Sequence, residues 1–124
     1  MFGFTTISID AKGRLAIPAK YRDQLLSQNE ESIVVTRDPQ YPSLKIYPGS
    51  IWNTISKELQ SLQGLDPIVR NLQWTILGNA SLSSFDPKGR MLILLPSELR
   101  EYAEIKTLEK VSFIGMGNKF EVWN

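Results

Sequence analysis

Apolar and polar residues alternate in two short runs, Thr6-Ile7-Ser8-Ile9 and Ser81-Leu82-Ser83-Ser84-Phe85, the period-two pattern of a half-buried strand. Each run stops at an Asp-x-Lys-Gly-Arg turn, after which an apolar run resumes as Leu15-Ala16-Ile17 or as Met91 to Leu95. Pro18 and Pro96 come next, suited to the first position of a short helix, where a missing N–H has no partner to lose. Two further strands are expected in each half. They are Ser32 to Thr36 and Leu44 to Tyr47 in the first, and Lys110 to Ile114 and Phe120 to Trp123 in the second. Turn-rich segments join them, Asp38 to Ser43 and Gly115-Met116-Gly117-Asn118.

Between the halves the period lengthens to that of helices. Ser50 is placed to cap a helix carrying Trp52, Ile55, Leu59 and Leu62 on one stripe, with Gly64 ending it. Asp66-Pro67 then reads as an N-cap and first helical residue, opening a second helix with Val69, Leu72 and Ile76 on one side and Gly78 as its stop.

The two β-rich stretches are copies of one another. Asp10-Ala11-Lys12-Gly13-Arg14 recurs as Asp86-Pro87-Lys88-Gly89-Arg90, 76 positions on. Pro18-Ala19-Lys20-Tyr21-Arg22 recurs as Pro96-Ser97-Glu98-Leu99-Arg100 at an offset of 78, so the second copy holds two extra residues before its proline. The later strands match in the same order. The expected organisation is a repeat over 4–50, a helical connector over 51–79 and a second repeat over 80–123, in an α+β, β-rich fold.

Composition narrows the chemistry. The 124 residues include no cysteine and no histidine, which removes the thiolate nucleophile, the Cys-based zinc site and the commonest general base. Asp66, Glu98, Glu101 and Glu104 are not spaced as a metal loop, and Gly115-x-Gly117 is a lone glycine pair before a strand, too little for a phosphate loop. No enzyme activity, metal, cofactor or small-molecule substrate is expected. The longest purely apolar run, Met91 to Leu95, is far short of the roughly 20 residues that span a bilayer. The first residues lack the basic flank and apolar stretch of a signal peptide. A cytoplasmic protein is expected. Trp52, Trp74, Phe113, Phe120 and Trp123 fall on predicted apolar faces, where core or subunit contact is the ordinary role.

The net charge of +1 is unevenly spread: residues 10–22 carry a net +3, residues 86–100 only +1. In the turn, Asp10 accepts from N–H groups just downstream and Gly13 admits a positive φ. Such a turn aims Lys12 and Arg14 together, towards adjacent phosphates or a groove. A hairpin tip closed by a solvated Asp10–Arg14 ion pair is the plain alternative. Lys20 and Arg22 extend the basic surface, or line a solvated helix face with Tyr21 and Leu25 packed inward. Asp86, Lys88, Gly89 and Arg90 repeat the arrangement, but Glu98 stands where the first copy has Lys20.

These residues resemble the MraZ family, bacterial regulators built from two domains of the SpoVT/AbrB type. The resemblance runs from Met1 to Trp123, carried by the two Asp-x-x-x-Arg motifs, the Pro-x-x-apolar-Arg segments and the closing Lys119-Phe120-Glu121-Val122-Trp123. It implies a swapped-hairpin β-barrel in each half, the halves related by a pseudo-two-fold. It also implies a ring-shaped homo-oligomer, nucleoid-associated, that binds duplex DNA at tandem repeats upstream of the cell-division and cell-wall gene cluster. By the same resemblance Arg14 and Arg90 contact DNA with Lys12 and Lys88 beside them, while Asp10 and Asp86 shape the hairpins. The family's second copy usually keeps the Arg-to-Pro spacing of the first, so the two extra residues before Pro96 should re-aim the second tip through a bulge or a longer strand. A protein-interaction module of antitoxin type, its helices masking another protein, is the alternative function.

Overall fold

The computed structural model describes residues 1–84 and 90–124. The alternating run at the start forms β1 (Phe2–Ser8), followed by a turn and by β2 (Arg14–Ala16). Pro18 stands at the N-cap of α1 (Ala19–Ser27), one residue outside the position expected for it; its fixed φ suits the entry, and its carbonyl accepts the Tyr21 and Arg22 N–H groups. Strands β3 (Ser32–Arg37) and β4 (Leu44–Pro48) complete the first repeat. The second runs through β5 (Ser81–Ser84), β6 (Leu92–Leu94), α4 (Ser97–Tyr102), β7 (Lys110–Met116) and β8 (Phe120–Trp123), with Pro96 likewise at the N-cap.

The connector holds α2 (Gly49–Ser61) and α3 (Pro67–Leu72), the latter running into a π-helical turn at Gln73–Leu77. Asp66 caps α3 as its sequence indicates, accepting from the Ile68 N–H at 2.9 Å. Ser50 does not cap α2. The helix begins at Gly49, and the Glu30 carboxylate supplies the acceptor, taking the Ser50 N–H at 3.1 Å and its hydroxyl at 2.6 Å. Gly64 is not needed as a stop, because Gln73 Nε2 donates to the terminal carbonyls of Leu59 and Leu62. The π turn is held by Thr36, whose hydroxyl donates to the Ile76 carbonyl at 2.6 Å, and by Asn79, which donates to the Trp74 and Thr75 carbonyls. A π turn takes an extra residue and so rotates the helical stripe. Trp74 is thereby turned outward, 61% exposed, a correction to its expected place on an apolar face.

The strands of both repeats share one antiparallel sheet in the order β1-β7-β8-β4-β3-β5, while β2 and β6 pair in a separate ribbon. This corrects the expectation of a closed β-barrel in each half: among the described residues the sheet is open and common to both. The order is a palindrome under exchange of the repeats. The first strand of each repeat pairs with the third strand of the other, β1 with β7 and β5 with β3. Between the sheet and the ribbon lies a single core drawn from both repeats. Leu15, Ile33, Ile46, Phe113, Phe120, Ile93 and Leu95 are all fully buried there. Tyr21 joins Phe113 and Phe120 with ring centroids 5.9 and 5.1 Å away, and its hydroxyl donates to the Phe2 carbonyl at 2.7 Å. Burying three aromatic rings in tilted contact contributes both apolar area and about 0.5–1.5 kcal/mol per pair beyond it. β3 is buried along both faces, one side against this core and the other, at Thr36, against the connector. Among the described residues no helix is long and apolar enough to cross a membrane.

Candidate nucleic-acid interface

The turn after β1 is built from the chain's own short-range bonds. Ile9 is buried and anchored on either side, its N–H donating to Glu109 and its carbonyl accepting from Leu108. Asp10 closes the turn: its N–H donates to the Arg14 carbonyl at 2.9 Å, and its carbonyl accepts the Gly13 N–H at 3.1 Å. One carboxylate oxygen accepts the N–H groups of Lys12 at 2.9 Å and Arg14 at 2.8 Å; the other accepts Arg14 Nε at 2.8 Å. Gly13 sits at φ +81°, a region that costs a residue with a Cβ about 1–2 kcal/mol.

Asp10 therefore titrates below the usual carboxylate range, chiefly because the Arg14 backbone N–H bonds to the charged form. Partial burial opposes the shift, while the Arg14 guanidinium and the Lys12 N–H reinforce it. The ion pair that sequence offered as the plain alternative is thus present. It leaves Arg14 about one-third exposed, held at Nε, with its two Nη groups making no hydrogen bond among the described residues. Lys12 is exposed beside it. A guanidinium held at one edge keeps the forked Nη side for a bidentate acceptor such as a phosphate or a guanine edge.

Lys20 and Arg22 do not join this tip. Lys20 Nζ lies over the Tyr21 ring, 4.8 Å from its centroid, and packs beside Gly3. Gly3 is at the far end of β1, about 20 Å from the turn at a strand's rise per residue. Arg22 lies 3.9 Å from Asp23 on the flank of α1. Tyr21 and Leu25 pack inward as their spacing indicates.

The second tip differs. Asp86, Lys88 and Gly89 lie outside the described residues. Arg90 is described and exposed, but it is not where Arg14 is. The ribbon pairs Arg14 with Leu94, Leu15 with Ile93 and Ala16 with Leu92, so under exchange of the repeats the counterpart of Arg14 is Leu92. The Leu95 N–H bond to the Gly13 carbonyl, 2.9 Å, is mirrored by the Ile17 N–H bond to the Met91 carbonyl, 3.0 Å. The offset is 76 in the first strands and 78 from Met91 onward, so the two extra residues fall between Ser84 and Met91. At the start of β6 the Leu92 N–H folds back onto the Arg90 carbonyl at 3.0 Å, a γ-turn contact that takes Arg90 out of the ladder.

Two features escaped the sequence reading. Arg100 reaches from the second repeat to the first tip, its guanidinium lying against Gly13 while its Nε donates to the Leu95 carbonyl at 2.9 Å. Arg37 lies between Tyr102 and Trp74, 4.6 and 5.6 Å from their ring centroids. Only the match of Arg100 to Arg22 was visible in the chain; nothing local marks Arg37.

The chain matches the family model described as "MraZ protein, putative antitoxin-like" over residues 1–73 and 76–124. It is 48% identical over 122 residues to the transcriptional regulator MraZ of Nitrosomonas europaea, covering 98% of this chain and 79% of that one. The proteins of the same name from Hydrogenovibrio crunogenus and Idiomarina loihiensis are each 43% identical, with 98% of this chain and 78% of theirs covered. The doubled motif of the sequence and these likenesses agree: this chain belongs to the MraZ family.

Proposed function

We propose that the protein is a sequence-specific, DNA-binding transcriptional regulator that reads duplex DNA first through the Lys12–Arg14 tip. The observation that carries this reading is the Asp10 turn, which holds Arg14 at Nε and, among the described residues, leaves its forked Nη side unengaged. The names of the relatives, transcriptional regulators at 43–48% identity, support the same class. The exchange of first strands between 4–50 and 80–123 across the connector at 51–79 supports a swapped-hairpin origin for the fold, each half lending a strand to the other. One tip of this size binds weakly. Several tips around a ring-shaped homo-oligomer gain affinity on tandem repeats by raising the effective concentration of the next contact. On this reading the operators lie upstream of the cell-division and cell-wall genes, and the protein is found on the nucleoid. Lys20 and Arg22 then serve as outlying phosphate contacts, and Lys88 and Arg90 as a second, re-aimed tip.

The test is a footprint and fluorescence-anisotropy titration on the DNA upstream of the protein's own gene. Regularly spaced protection is expected, with affinity falling steeply as salt rises, by a log–log slope of about −0.9 for each phosphate neutralised. Arg14→Ala should abolish the preference for that DNA over scrambled sequence; retention of the preference refutes the role of Arg14.

A second reading rests on the connector, which exposes Leu65 (94%), Ile68 (73%) and Trp74 (61%). Exposed apolar residues on one connector offer area for a protein contact, as an antitoxin-like module requires. Absence of any DNA shift at low salt, together with a stoichiometric protein partner lost on Trp74→Ala, would favour it.

A further inference from the structure

We propose that Arg100, in the second repeat, is a positioning residue for the Arg14 tip of the first. This rests on the reading of that tip as a DNA contact. Leu95 is gripped from two sides: its carbonyl accepts Arg100 Nε at 2.9 Å, and its N–H donates to the Gly13 carbonyl at 2.9 Å. The Arg100 guanidinium also covers the open face of Gly13, where a methyl group would stand 2.8 Å from Nε and 2.9 Å from Cζ. Among the described residues no carboxylate forms an ion pair with Arg100, and its contacts there are with backbone. These are the bond to Leu95 and the contact with the bare backbone of Gly13.

The symmetry of the ribbon supplies a control within the same molecule. Exchange of the repeats puts Arg22 in the place of Arg100 and Met91 in the place of Gly13. Met91 carries a fully buried side chain where Gly13 has none, and Arg22 turns to Asp23 at 3.9 Å. Among the described residues the clamp is therefore made on the first tip alone. A planar guanidinium does two jobs here that an ammonium does not combine: it donates along one edge and covers a backbone face. Holding Gly13 keeps the next residue, Arg14, within the narrow angular range that bidentate recognition needs. Sequence discrimination is thereby lodged in a residue of the repeat that does not carry the tip.

The experiment uses the whole chain as wild type, Arg100→Met, Arg100→Lys, Arg14→Ala and the Arg14→Ala/Arg100→Met double variant. Binding is measured by anisotropy on the upstream duplex and on a scrambled duplex at several salt concentrations. Amide hydrogen exchange is followed in the free proteins. Both Arg100 variants should lose about tenfold in specific affinity, the scale of one charge-assisted hydrogen bond, with scrambled-DNA affinity and salt slope held. The double variant should bind no more weakly than Arg14→Ala, since Arg100 acts through Arg14. The Leu95 amide should exchange about tenfold faster in both Arg100 variants while that of Val35 in the core is unchanged, which separates a loosened tip from a loosened fold. Wild-type discrimination in Arg100→Lys, additive losses in the double variant, or unchanged Leu95 exchange each overturn the proposal. If wild type and Arg14→Ala bind both duplexes alike, the DNA reading fails, and the exchange of Leu95 alone still decides whether the clamp exists.

Discussion

Truncating Ile93 to alanine asks whether the two repeats stand or fall together. Ile93 lies in the second repeat, yet it pairs across the ribbon with Leu15 of the first, and both side chains are fully buried. Their neighbours Leu95, Ile17 and Met91 come from both repeats as well, so no single repeat can collapse to fill the space. Removing three carbons from such a site costs about 2–5 kcal/mol in lost transfer energy and residual cavity. A chain of 124 residues unfolds with an entropy near 0.26 kcal/mol/K, so the midpoint should fall by roughly 8–19 °C. The assay is calorimetry with near-UV and far-UV circular dichroism at one fixed protein concentration, because assembly shifts the midpoint by mass action. A single transition is expected in wild type and variant, with all probes moving together. Two transitions, of which Ile93→Ala shifts only one, would refute the shared core. They would mean that each repeat closes on itself after all.

Tyr21→Phe keeps the aromatic cluster but removes the hydroxyl donated to Phe2; it should cost about 1 kcal/mol in denaturant unfolding and speed amide exchange along β1 without altering the core. Because the folded pKa of Asp10 is depressed, its carboxylate supports the tip above the unfolded value near 3.9, and that support is lost as pH falls through the lower folded value. The Lys12 and Arg14 amide resonances should therefore titrate with a midpoint below about 3.9, and Asp10→Asn should abolish the titration; a midpoint at or above that value contradicts the hydrogen-bond account. Arg90→Ala should reduce specific DNA affinity by less than Arg14→Ala does in parallel titrations, since Leu92 occupies the ladder position equivalent to Arg14. Equal losses would show that the displaced arginine reads DNA as well as its counterpart.

What could be read from the chain by itself is what short-range forces decide. The alternating runs became strands, Asp66 capped its helix, and the Asp10 turn closed through bonds reaching no more than four residues along the chain. The doubling of the module, and with it the family, was equally legible, because a repeated order of motifs needs no coordinates. Pairing between distant segments was not legible. That β1 joins β7, and β5 joins β3, follows from which apolar faces two repeats can bury together, a choice made between segments far apart in sequence, β1 and β7 lying near opposite ends of the chain. The same choice fixed the meaning of the two extra residues. Sequence aligned Arg90 with Arg14, whereas the ribbon set Leu92 in that place, because burying Ile93 and Leu95 against Leu15 outweighs keeping a solvated arginine in register. Trp74 turned outward for a related reason, its π turn held by Thr36 from another strand. Arg100, an ordinary helix residue in the chain, became part of the first tip only once the repeats had folded around each other.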